Sequence, residues 1–146
     1  MKKEVQIWIN SKTVSGGETV PIELYSKGSF YKKNGTYFIT YDETDEYGSV
    51  MGQSIIKLTE NNRFSLLRAK SASSMTMEEG KRTLCRYEVD GNELFFGIET
   101  DYVKNNLDDN GGNVGVKYRL DVNGELLNDV TIEIKVKTKI ERNNLI

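Results

Sequence analysis

Histidine is absent from the 146 residues, and cysteine and proline each occur once. Without histidine the chain lacks the commonest general base, the usual partner of a nucleophilic serine and the commonest metal ligand. One thiol forms no internal disulfide, and it cannot build a zinc site of the cysteine and histidine type. Histidine- and zinc-dependent chemistry is therefore excluded, and we expect no catalytic residues, no cofactor and no metal.

Basic residues are not in excess, and long apolar runs are missing. The chain carries 20 basic and 22 acidic residues, so it lacks the positive balance that drives contact with nucleic acid. No stretch reaches the roughly 20 apolar residues of a membrane span, and the N-terminal lysines precede no export signal. We expect a cytoplasmic protein that contacts neither nucleic acid nor membrane. Its length suits one domain, residues 1–146, with a frayed tail at 139–146.

Alternation of apolar and polar residues is the dominant pattern. It is clearest over 114–122 and 130–136, where every second side chain is Val, Ile, Tyr or Leu. Such a period of two places successive side chains on opposite faces of a strand. Asn123-Gly124 separates these runs, and both residues tolerate the positive φ of a tight hairpin turn. Similar turns are predicted at Asn34-Gly35, Asn61-Asn62 and Asp90-Gly91.

The predicted fold is all-β. About ten strand-like runs joined by short turns indicate an antiparallel meander, and a sheet with so many strands tends to curl and close. A closed barrel removes exposed edges, whereas a two-layer sandwich is the alternative that periodicity does not separate from it. No segment shows sustained helical spacing, and the best helical candidates, around 76–81 and 102–108, are a turn or two at most.

The order and spacing of several motifs resemble one protein family. They lie at residues 37–44, 55–58, 67–68, 75–80, 85–91, 97–100 and 118–120. Together they resemble the YwiB-like family of bacterial proteins, placed among the calycin-like, lipocalin-related barrels. The resemblance implies a calycin-like barrel but supplies no activity. A glycine expected soon after Arg68 is replaced by the stretch 69–71, which leaves the strand exit there open. The Gly-x-Trp signature of true lipocalins is missing around Trp8, so their ligand habits are not carried across.

Arg68 is the most informative polar residue. It is in phase with Phe64 and Leu66, which directs it towards the barrel interior, where a permanently charged guanidinium needs a partner. Glu43, on the same face as Tyr41, is one potential partner. Glu99, in phase with Phe95, is another.

Two interpretations of Arg68 stay open. It either anchors an anionic ligand head within an apolar cup, or it forms a structural pair or is turned outward by a bulge. The residues predicted to bind a ligand are Tyr41, Glu43, Arg68, Tyr87 and Glu99.

Three other features have simpler interpretations. Cys85 lies mid-strand, where a small buried thiol is more ordinary than a nucleophile activated by Arg86. The acidic loop 42–48 does not fit the spacing of a calcium loop, and a solvated hairpin explains it better than a cation site. The aromatic residues suit a barrel core more than a ligand cavity.

The sequence leaves three competing hypotheses about function. The leading hypothesis is a non-catalytic barrel that binds a small, partly apolar ligand with an anionic head. The second is a protein-interaction or regulatory module that uses its outer face or an edge strand. The third is a histidine-independent enzyme, which would need a carboxylate of raised pKa in a cleft.

Overall fold

A computed structural model describes residues 2–45, 47–68 and 73–138. Glu46 of the acidic loop, the strand exit after Arg68 and the tail 139–146 lie outside the described residues. The strands are β1 (Lys3–Ser15), β2 (Glu18–Lys33), β3 (Thr36–Thr44), β4 (Val50–Leu58), β5 (Arg63–Arg68), β6 (Ser73–Glu78), β7 (Arg82–Val89), β8 (Asn92–Asp108), β9 (Gly111–Val122) and β10 (Glu125–Thr138).

The predicted turns join these strands. Asn123 and Gly124 have φ angles of 53° and 84°, the left-handed pair that matches the twist of a two-residue hairpin. Asn34-Gly35 and Asp90-Gly91 repeat this geometry, and Asn62 adopts a φ of 58° in the β4–β5 turn. Gly16-Gly17 makes an equivalent turn between β1 and β2 that was not predicted, although a glycine pair there is a recognised hairpin signal.

The strands form a closed barrel in which each pairs antiparallel with its neighbours in sequence and β10 returns to β1. Ile9 lies opposite Ile134 of β10 and Leu24 of β2, so β1 is paired on both sides. The barrel prediction is confirmed, and the sandwich alternative is wrong.

Neither helical candidate is a helix. Residues 76–78 belong to β6, and 102–108 belong to β8. A register shift between Thr100 and Tyr102 interrupts the alternation there, because a bulge adds a residue that faces no partner.

The up-and-down order gives the barrel two different ends. We call the end that carries the β1–β2, β3–β4, β5–β6, β7–β8 and β9–β10 connections the open end, and the opposite one the closed end. At the open end β2 leaves the wall: it pairs with β3 only from Gly28 onward, while its first half pairs with β1 alone.

Apolar side chains fill the closed half of the barrel. Most strands there contribute alternate residues that are almost fully buried, as the period of two requires. Members of this core include Ile7, Phe30, Ile39, Leu58, Met77, Val103, Val114 and Val116. Within the described ranges, no helix has the length and apolarity needed to cross a membrane.

Candidate functional site: the lumen at the open end

A cavity of about 350 Å³ occupies the barrel interior on the open side of this core. Its walls include Ile9, Ile56, Phe64, Leu66, Met75, Phe96, Leu120, Val130, Ile132 and Ile134. Ser11, Thr13 and Asn128 add polar groups towards the open end. Arg68 is the one charged residue among the described residues that line it. Mostly apolar walls with a few polar groups are typical of small-molecule sites.

Strand register builds a polar row at the mouth of this cavity. Ser54 of β4 lies between Tyr41 of β3 and Arg68 of β5, so all three point inward from adjacent strands. Two residues along β3, Glu43 accepts a hydrogen bond of 2.5 Å from the Ser54 hydroxyl. Arg68 Nε lies 3.5 Å from the same Glu43 oxygen. The row therefore brings Tyr41, Glu43 and Arg68 together, with Ser54 as a link that the sequence did not single out.

Arg68 lies where its predicted phase places it, but at the mouth rather than in the depth of the barrel. Phe64 and Leu66 are buried on the same face, whereas the Arg68 side chain remains 47% exposed. An arginine in this position keeps contact with water while its charge acts on the lumen.

The Arg68 charge acts on three titratable groups of the lumen. Burial raises the pKa of Tyr118 to about 12, and the nearby Arg68 charge opposes part of this rise. The pKa of Tyr41 is also raised by burial, against the lowering effects of Arg68 and of a hydrogen bond with Ser54. Burial likewise raises the pKa of the Cys85 thiol, again opposed by Arg68. All three groups are therefore protonated at neutral pH.

Of the other two predicted residues, one lines the lumen and one does not. Tyr87 of β7 lines the cavity and is 38% exposed. The predicted inward orientation of Glu99 is wrong: Glu99 is exposed and lies 3.6 Å from Arg119 on the outer face. The inward residues of β8 are Phe96, Ile98 and Thr100, opposite in phase to Phe95. The adjacent Phe95 and Phe96 left this phase ambiguous.

The acidic loop holds itself together. Asp45 Oδ1 accepts hydrogen bonds of 2.9 Å from the backbone N–H groups of Tyr47 and Ser49. This is the local capping that Asp provides in turns. Among the described residues, no three His, Cys, Asp or Glu side chains are grouped so that they could hold a metal ion.

Comparisons with known proteins agree with this architecture. The chain is 25% identical over 127 residues to the uncharacterized beta-barrel protein YwiB of Bacillus subtilis (strain 168), covering 86% of this chain and 88% of that protein. The crystal structure of the ywiB protein from Bacillus subtilis superposes with a TM-score of 0.82 at 18% identity, over 95% of this chain and 94% of the other. Residues 7–134 match the model of a domain of unknown function, DUF1934, and the chain belongs to that family.

Proposed function

We propose that this barrel is a non-catalytic binding module whose lumen takes a small, partly apolar ligand with its anionic head at Arg68. The observation that carries the proposal is the hollow of about 350 Å³, with apolar walls and one charged group at its mouth. That volume lies within the roughly 300–1,000 Å³ of small-molecule sites. Larger hollows on the outer face, such as one of about 720 Å³ beside Pro21 and Glu133, lack an apolar wall of this kind.

The Arg68–Glu43 contact is long enough to leave the guanidinium able to bind a second anion. Its 3.5 Å distance exceeds the roughly 2.7–2.9 Å of a strong charge-assisted hydrogen bond. Glu43 is held more closely by Ser54, at 2.5 Å. Arginine carries five N–H donors, and this one is half exposed, so a carboxylate head could reach it from solvent.

The titration of the lumen favours binding over catalysis. A nucleophilic cysteine needs a lowered pKa, whereas burial raises that of Cys85. The raised pKa of Tyr118 likewise opposes a role as a base at neutral pH. We also propose a reducing, cytoplasmic setting, which suits a single buried thiol.

A chain-length series of fatty acids, each beside the alcohol of the same length, tests the proposal. Thermal shift and calorimetry on the full chain should show binding of both classes, with a preference for the acids. A ligand at a hundred times its Kd stabilises by about 2.7 kcal/mol, a shift that is easily measured. Native mass spectrometry of protein from its own cells should show the added mass of a bound molecule. If thermal shift, calorimetry and native mass spectrometry all detect no bound ligand, the proposal of a ligand-binding lumen is wrong.

Two charge variants locate the head of the ligand. Arg68→Gln should weaken carboxylate binding by about tenfold to a hundredfold, because a hydrogen bond to a charged group contributes about 1.5–3 kcal/mol, and should leave alcohol binding nearly unchanged. Glu43→Gln should strengthen carboxylate binding by removing the competing anion. If both variants change only the unfolding midpoint, the pair is structural and the head lies elsewhere.

A further inference from the structure

Exposed apolar side chains are concentrated at the open end of the barrel. We define the rim as residues 14–22, 43–51, 87–94 and 121–127, the ends of four of the five hairpins at the open end; Glu46 and the fifth connection, 69–72, lie outside the described residues. Most of the exposed large hydrophobic residues of the described chain belong to it: Val14, Val20, Ile22, Tyr47, Val50, Met51, Tyr87, Leu94, Leu126 and Leu127. Grouped exposure of this kind marks an interaction surface, whereas single exposed residues do not.

The charge of the rim has one sign. None of its four segments contains a lysine or arginine, and every segment contains Asp or Glu. Some carboxylates are paired by arginines outside the rim, as Glu93 is by Arg86 at 2.8 Å. Glu18, Asp90 and Glu125 have no basic partner among the described residues. These carboxylates give the apolar rim an unbalanced negative charge.

The closed end lacks this combination of exposed apolar residues and acidic charge. Its turns, within residues 31–38, 57–65, 77–82 and 106–113, contain none of the exposed large hydrophobics found in the described chain. They carry both signs of charge: Lys32, Lys33, Lys57, Arg63, Lys81 and Arg82 beside Glu60, Glu78, Glu79, Asp108 and Asp109. The ends therefore differ in exposed apolar surface, and the rim carries an acidic excess where the closed-end turns are nearly balanced.

We propose that the rim docks a basic, apolar segment of a partner protein. Apolar side chains of that segment would cover the exposed rim residues, and its Lys and Arg would face Glu18, Asp90 and Glu125. Opposite charges steer and align such an encounter, and apolar contacts at its centre provide affinity. An anionic membrane surface would be repelled by the same carboxylates, which favours a polypeptide over a lipid surface. This interaction goes beyond the lumen ligand and does not depend on it.

Synthetic amphipathic peptides test this assignment on the full chain. A Lys/Leu peptide should bind with a Kd that rises steeply with salt, whereas Glu/Leu and Lys/Ser peptides of equal length should not bind. Glycine amides report where binding occurs, because Gly16, Gly48, Gly91 and Gly124 lie in rim turns and Gly35 lies at the closed end. The rim glycine resonances should shift in ¹⁵N spectra, and that of Gly35 should not.

Matched variants distinguish peptide binding at the rim from non-specific binding to exposed apolar residues elsewhere. Ile22→Ser and Glu125→Lys should each weaken binding of the Lys/Leu peptide about tenfold. Leu84→Ser removes an exposed leucine outside the rim, 63% exposed, and should change nothing. An equal loss of Lys/Leu peptide affinity in all three variants, a shift of the Gly35 resonance, or binding of the Glu/Leu peptide would overturn the proposal. Binding to phosphatidylcholine vesicles without peptide binding would overturn it in favour of a lipid surface.

Discussion

Two valines that face the barrel interior provide a direct test of the hollow. Val130 lines the cavity, and Val116 belongs to the packed core; both are at least 95% buried. Val116→Phe should destabilise by about 1–3 kcal/mol, because extra volume in a packed core forces neighbours out of their rotamers. Val130→Phe instead places its ring in a cavity of about 350 Å³. About 40 Å² of newly buried ring surface would stabilise by about 1 kcal/mol.

The two variants are compared by urea unfolding with a shared m-value and by thermal unfolding. For a domain of this size 1 kcal/mol corresponds to about 2–4 °C in Tm, so the variants should differ by several degrees. Val130→Phe should also weaken amphiphile binding, since its ring occupies part of the site. A loss of stability at Val130 equal to that at Val116 would show that the open half is packed as tightly as the closed half. The reasoning about a lumen ligand would then fail.

Three further measurements test the geometry of the backbone and the ion pairs. Gly111→Ala should destabilise by more than about 1 kcal/mol, because φ is 108° and the new Cβ would collide with the Val136 carbonyl, whereas Gly115→Ala on the same strand should be neutral or slightly stabilising. Tyr118 should ionise near pH 12 in an ultraviolet titration, and stability should fall between pH 10 and 12, where the unfolded tyrosine loses its proton and the folded one keeps it. The hydrogen bond and charge of Arg82 lower the pKa of Asp121, so the stability that Asp121→Asn removes at neutral pH should vanish as pH falls below about 4, as urea midpoints across pH would show. If replacing Arg82 left the pH dependence of the urea midpoint unchanged, that account would be wrong.

Local rules predicted the turns because turn geometry depends on neighbouring residues, whereas closure followed from the number of strands. Asn-Gly pairs set hairpin geometry without reference to the rest of the chain, and alternation over 114–122 sets which face is buried. The first half of β2 was not predicted as a strand. Its side chains are mostly exposed, so no apolar alternation marks it, and pairing with β1 holds it in place.

The site was predicted in part for a similar reason. Tyr41 and Arg68 could be placed by phase within their own strands. Ser54 could not be placed, because its position between them depends on the registers of three strands across two connections. Glu99 was placed wrongly because phase was carried along β8 from Phe95 rather than from Phe96. Local sequence patterns therefore predict the cross-strand neighbours of a site least well.

The hollow itself follows from residue size once the register is known. Side chains of an eight-stranded barrel can just fill its interior, so a ten-stranded one needs larger residues to meet at the axis. In the closed half Phe30, Ile39, Leu58 and Met77 supply that volume. In the open half the inward positions include small residues: Ser11, Thr13, Ser54, Ser73, Cys85 and Asn128. Ten strands make a wide barrel, and the short inward side chains of its open half do not reach one another across the axis. The cavity is therefore a consequence of where this sequence places its small inward residues, and substitutions that enlarge them should fill it.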